Sequence, residues 1–96
     1  METPRAHVVH VTAVGGKIFH GERYIGIGRF AEDGPAWPDG AWSVVLEFDN
    51  ATSIDSPSVA KARFYVAAAP HERIRAGQHF AVYEGPRKVA DVDVRD

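Results

Sequence analysis

The residues of this chain best suited to chemistry near neutral pH are its five histidines, His7, His10, His20, His71 and His79. A histidine metal site needs several imidazoles aimed at one point. His7 and His10 stand three apart on a stretch that alternates like a strand, so they project to opposite faces and cannot chelate one ion together. Only a composite site with a third histidine remains open. Carboxylates offer a second chemistry, since general acid–base catalysis uses two of them in unlike surroundings. Glu47 and Glu84 are the candidates on strands. Asp91 and Asp93 share one face of the last strand, a pattern that serves solubility and edge protection.

No nucleophile elbow of the Gly-x-Ser-x-Gly type occurs. Gly26-x-Gly28 imitates the start of a dinucleotide fingerprint, but Ala31 takes the third position and the Gly-, Pro- and Asp-rich residues 31–40 open no helix, so a bend in a strand is the better reading. With no cysteine among the 96 residues, disulfides, thiol catalysis and thiolate-bound metals are excluded. No catalytic, cofactor or metal residue is therefore assigned, and the chain is expected to be non-enzymatic and to carry no cofactor.

Binding chemistry has more material. Arg23, Arg29, Lys61, Arg63, Arg73, Arg75, Arg87 and Lys88 are interspersed with Tyr24, Tyr65 and Tyr83, and if several converge on one face they can grip RNA or an acidic protein surface. Against a general attraction to phosphate stands the balance of 11 basic to 13 acidic residues, a formal charge of −2. Trp37 sits between the turn signals Asp33-Gly34-Pro35 and Pro38-Asp39-Gly40, where an indole either closes one end of a core or forms a ligand platform. Asn50-Ala51-Thr52 fits the glycosylation pattern only formally.

These residues must be positioned by strands. A composition of 45% hydrophobic and 25% charged residues is that of an ordinary folded domain, and the length leaves room for one core, so a single domain over residues 1–96 is expected. No apolar run approaches a membrane span and the polar first five residues lack a signal-peptide core, which sets a cytoplasmic location without membrane contact as the expectation. Strand patterning is clearest at the end of the chain. Phe80 and Val82 alternate with His79, Ala81 and Tyr83; Glu84-Gly85-Pro86-Arg87 marks a turn; Ala90, Val92 and Val94 then alternate with Val89, Asp91 and Asp93. Earlier, residues 6–14 predict a strand with Val9, Val11 and Ala13 on one face. Residues 17–30 predict a short strand, a turn at Gly21 and a second strand from Arg23, with Ile25 and Ile27 inward and Gly26 and Gly28 on the opposite face. Residues 41–48 place Trp42, Val44, Leu46 and Phe48 on one face, and residues 49–57 read as a loop. Residues 59–69 alternate Ala60, Ala62, Phe64, Val66 and Ala68 and favour a strand over a helix. The sum is an all-β chain, a small antiparallel β-barrel of six to seven strands, closure being the economical way to pair strand edges.

Gly77-Gln78-His79-Phe80-Ala81-Val82-Tyr83-Glu84-Gly85-Pro86-Arg87-Lys88-Val89-Ala90, with its Glu-Gly-x-Arg-x-Val turn, resembles the last hairpin of the C-terminal β-barrel of bacterial elongation factor Tu. Ile18-Phe19-His20-Gly21-Glu22-Arg23-Tyr24 is similar to a stretch before an early strand of the same barrel. The resemblance implies a six-stranded barrel of the translation-factor type standing without a GTPase domain, and the chain has no Walker A sequence. In that family the barrel packs against the GTPase domain and touches a transfer RNA stem. Glu84, Gly85 and Arg87 match the family, whereas Tyr83 stands in place of an Arg and Ala90 and Val92 in place of glycines.

The leading functional expectation is a non-enzymatic module that binds a protein partner through a face or an edge strand, with Trp37, Tyr83, Glu84, Arg87 and Lys88 as the candidate partner-binding residues. An RNA-binding accessory domain is the alternative, and a small metal- or ligand-binding protein is the third. A homodimer is expected only if an edge strand is left unpaired.

Overall fold

The computed structural model describes residues 5–19, 23–48 and 58–96. Six strands occur among them: β1 (His7–Ala13), β2 (Arg23–Arg29), β3 (Ser43–Phe48), β4 (Ser58–Phe64), β5 (His79–Glu84) and β6 (Arg87–Val94). They close into an antiparallel barrel in the order β1-β4-β3-β2-β5-β6, with β6 returning to β1. The expected all-β barrel is therefore the observed one. The strand anticipated near residues 17–19 does not form. The turn at Gly21, the loop over residues 49–57 and His20 lie outside the described residues.

The barrel forms because five of the six strands, all but β2, turn apolar side chains inward at alternate positions, and these sets meet in one core. Val9 and Val11 of β1, Val44 and Leu46 of β3, Ala62 and Phe64 of β4, Phe80 and Val82 of β5 and Val92 of β6 are all buried. Phe30 ties these together at one end, stacked on Phe80 at 4.5 Å between ring centroids and tilted against Phe64 at 5.3 Å. The ambiguous stretch after residue 58 is a strand, β4, but it stops at Phe64; Tyr65 and Val66 beyond it are exposed.

Two expectations about facing are overturned. Gly26 and Gly28 point into the barrel, while Ile25 is exposed and Ile27 half-buried on the outside. The reason is crowding in a narrow barrel. A Cβ on Gly26 would stand 2.6 Å from Val82 Cγ1, and one on Gly28 would stand 2.7 Å from both Phe30 Cε1 and Val44 Cγ2. Large neighbours fill the volume that isoleucines at these positions would need, so the glycines are the inward residues of β2.

The second correction concerns β6. Val82 pairs with Ala90 and Tyr83 with Lys88, which leaves Val89 as an extra residue in the ladder. This bulge turns Val89 inward beside Ala90, and both are fully buried, where strict alternation put Val89 outside with Asp91 and Asp93. The hairpin itself is as expected: Gly85 takes φ 59° at the first central position, the conformation a two-residue Gly-Pro loop of type II′ requires.

Each of the six strands has two hydrogen-bonded neighbours, so the edge-strand route to a partner or a homodimer loses its basis among the described residues. The shortest seam lies between β2 and β5, which pair only at Ile27–Tyr83, Gly28–Val82 and Arg29–Ala81. No helix among the described residues is long and apolar enough to cross a membrane.

Candidate functional site

β2 ends at Arg29, and after Phe30 the chain turns at once into two 3₁₀ turns over Ala31–Ala36, kinked at Gly34. Asp33 organises this turn. One carboxylate oxygen accepts the Phe30 backbone N–H at 2.8 Å and the other accepts Arg73 Nη1 at 3.0 Å. Arg73 belongs to a second short 3₁₀ turn, His71–Arg73, so the ion pair ties two loops at one end of the barrel. A weaker pair at 3.6 Å, Glu32 with Arg75, runs alongside it.

Fixed in this way, the loop lays Trp37 over the outer face of the sheet. Its indole N–H donates to the Gly28 carbonyl at 2.9 Å, and its ring meets that of Tyr83 with centroids 4.6 Å apart at an interplanar angle of 55°. Arg29 on β2 completes the group. Its guanidinium lies 5.1 Å from the Trp37 ring centre and Nη1 makes a long contact of 3.4 Å to the Tyr83 hydroxyl. Trp37 is thus neither a core plug nor a free platform alone: one edge is anchored to the β2 backbone and the ring remains half-exposed.

Of the five residues singled out from the sequence, the fold brings Trp37 and Tyr83 together and sends the other three elsewhere. Glu84 turns to the open end of the β2–β5 seam, where it accepts the Tyr24 hydroxyl at 2.9 Å and Lys17 Nζ at 3.3 Å. Lys17 also lies 4.9 Å from the Tyr24 ring centre. Burial first, then the hydrogen bond and negative charge of Glu84, push the Tyr24 hydroxyl up from 10.0 to about 12. The same hydrogen bond, followed by Lys17, holds the Glu84 carboxyl below its ordinary value. Arg87 donates to the Gly15 carbonyl just beyond β1, on the β1–β6 side of the barrel. Lys88 pairs with Asp91 at 2.6 Å. These contacts brace the barrel wall, and those of Glu84 and Lys88 are ion pairs.

The basic residues do not gather as one patch. Arg63, Arg73, Arg75, Lys17 and Lys88 each face a carboxylate. Arg23 and Lys61 stand on either side of Glu47 in the register of β2, β3 and β4, and Arg63 Nε reaches the same carboxylate at 3.7 Å. On the opposite wall His79 sits between two acids, Nδ1 at 2.8 Å from Asp93 and Nε2 at 3.4 Å from Asp91. His7 contacts Asp96, and His71 the Ala67 carbonyl. Among the described residues no group of three or more histidines and carboxylates is arranged to hold a metal ion.

Arg29, Tyr24 and Lys17 are the members of these clusters that the sequence did not single out. Arg29 carries a readable signal once Gly26 and Gly28 are taken as inward: the odd-numbered residues of β2 then line the outside, and Arg29 faces Ala81, diagonally from Tyr83, which faces Ile27. Lys17 and Tyr24 meet Glu84 only through tertiary closure. No protein-family model, curated protein or solved structure matches the chain.

Proposed function

We propose that the chain is a non-enzymatic binding module that engages a protein partner through the outer face formed by Trp37, Tyr83 and Arg29. The observation that carries this reading is the assembly of a tryptophan, a tyrosine and an arginine into one contact cluster on the barrel exterior. These are the residue types that dominate binding energy at protein interfaces, because they offer large, stiff surfaces with a polar handle. The Asp33–Arg73 pair supports it further, since a fixed loop loses little entropy on binding. Affinity capture from nuclease-treated lysate, with the wild-type chain and with Tyr83→Ala and Lys61→Ala, tests the reading. Proteins lost with Tyr83→Ala but retained with Lys61→Ala support it; capture indifferent to Tyr83 refutes it.

A second reading takes up the likeness to the translation-factor barrel and assigns an RNA-binding accessory role. Its supporting observation is the outer-face row of Arg23, Lys61 and Arg63, which share the single facing carboxylate of Glu47 among the described residues. In that case nuclease abolishes capture and Lys61→Ala is the damaging change.

A further inference from the structure

Resting on the protein-binding reading, we infer the chemistry of the partner: the Trp37–Tyr83–Arg29 face accepts a peptide segment in which a carboxylate side chain stands next to an apolar one. No carboxylate of the described residues lies within ion-pair distance of Arg29, whereas Lys17, Arg63, Arg73, Arg75 and Lys88 all have one. Of the acids in the loop that carries Trp37, Asp33 is committed to Arg73 and the Phe30 N–H and Glu32 to Arg75, while Asp39 is not within ion-pair distance of Arg29. Arg29 is nevertheless held in place, over the Trp37 ring and against the Tyr83 hydroxyl. A guanidinium carries five N–H donors, and the contacts of Arg29 among the described residues engage only Nη1, with the Tyr83 hydroxyl. The remaining donors are of the kind that match both oxygens of a carboxylate, and the contact with the Trp37 ring already limits the side chain's freedom.

The aromatic rings supply the second half of the specificity. Trp37 and Tyr83 present apolar surface beside the guanidinium, and Ile25, which is 42% exposed, continues it along the outside of β2. A polynucleotide fits less well. The two rings are in mutual contact at 55° and leave no slot between them for a base. Tyr83 faces Lys88 on β6, but Lys88 is paired with Asp91, and a phosphate chain running on along β6 meets Asp93 as well. A single carboxylate on Arg29 need not extend past Ala81, with the Lys88-paired Asp91 one strand further along the same row.

The test is titration of the labelled full chain, followed by the indole N–H signal of Trp37 and the Nε–H signal of Arg29, with Trp37→Phe used to assign the former. The probes are short end-blocked peptides carrying one Leu or Phe flanked by Glu, the same peptides with Gln or Lys in place of Glu, and a single-stranded oligonucleotide. The expected result is saturable movement of both signals with the Glu peptides, about tenfold tighter than with the Gln versions. Arg29→Gln is expected to erase that difference while keeping the dispersed spectrum of the folded barrel. Equal affinity of the Glu and Gln peptides, with Trp37 still responding, overturns the carboxylate assignment and leaves the protein-binding face standing. Peptide binding that persists in Tyr83→Ala, or no peptide response at Trp37, overturns both. Preference for the oligonucleotide replaces both with the nucleic-acid reading.

Discussion

Asp33 and Arg73 lie forty residues apart in the chain and meet at 3.0 Å with the Asp33 side chain only 6% exposed. Through this pair the loop that carries Trp37 is fastened to the loop that precedes β5, the strand of Tyr83. The two aromatic residues of the candidate face therefore depend on an ion pair that is not part of the face.

Asp33→Ala is expected to cost on the order of 2–4 kcal/mol, because it strands a part-buried guanidinium and an N–H together. Arg73→Ala should cost less, since the Asp33 carboxylate keeps the Phe30 N–H. Urea denaturation of both variants ranks them. A larger loss for Arg73→Ala would mean that the stranded charge of the buried Asp33 carboxylate outweighs its bond to the Phe30 N–H.

The inward glycines make a sharper prediction. Gly28→Ala places a methyl group 2.7 Å from Phe30 and Val44 and should cost about 1–3 kcal/mol through overpacking. Gly85→Ala meets no atom within 4 Å and suffers only from its positive φ, roughly 1 kcal/mol. Thermal melts distinguish the two mechanisms: only Gly28→Ala should also perturb the Phe30–Phe80 stack seen in near-ultraviolet circular dichroism.

Most of the strands were legible because alternation is a local property. Val9 and Val11, or Phe80 and Val82, declare their facing without knowledge of any partner strand. What was illegible depends on the closed barrel. Hydrophobicity alone sends Ile25 and Ile27 inward, and only the volumes of Val82 and Val44 on the neighbouring strands and of Phe30 reverse that choice. The slip at Val89 is likewise a matter of how β6 is registered on β5. Tyr83 was legible as an outward aromatic and Trp37 as either a core plug or a platform, but their contact is made by a loop whose anchor, Asp33 to Arg73, joins residues forty apart in the chain. Arg29 remained one cation among many until that contact singled it out.

The bulge can be checked directly. Val89→Thr keeps the shape of the side chain and adds a hydroxyl, which inside the core should cost about 1–3 kcal/mol. The same exchange at Val59, which is 63% exposed, should be nearly neutral. Matched urea titrations decide it, and a tolerated Val89→Thr would return that side chain to the outer face.

The brace at the β2–β5 seam predicts a pH dependence at both extremes. The Tyr24 hydroxyl ionises at about 12 in the folded chain against 10.0 for the ordinary group, so folding favours its neutral form. Its contribution is complete below pH 10 and is lost as the pH rises from there through 12. Glu84 runs the other way. Its carboxyl is held down by the Tyr24 hydrogen bond and then by Lys17, so its contribution is present above the ordinary carboxyl value of 4.5 and is lost as the pH falls through the lower folded value. Tyr24→Phe should remove the alkaline loss and the late component of the tyrosinate absorbance titration. Because it also deletes the largest influence on Glu84, the acid loss should shrink in the same variant. Glu84→Gln should abolish the acid loss and bring the Tyr24 titration down toward 10, though not fully, since burial is the first cause of its rise. Denaturant midpoints of the three proteins across the pH range measure both limbs. An alkaline limb unchanged in Tyr24→Phe would assign it to another group and dissolve the coupling between these two residues.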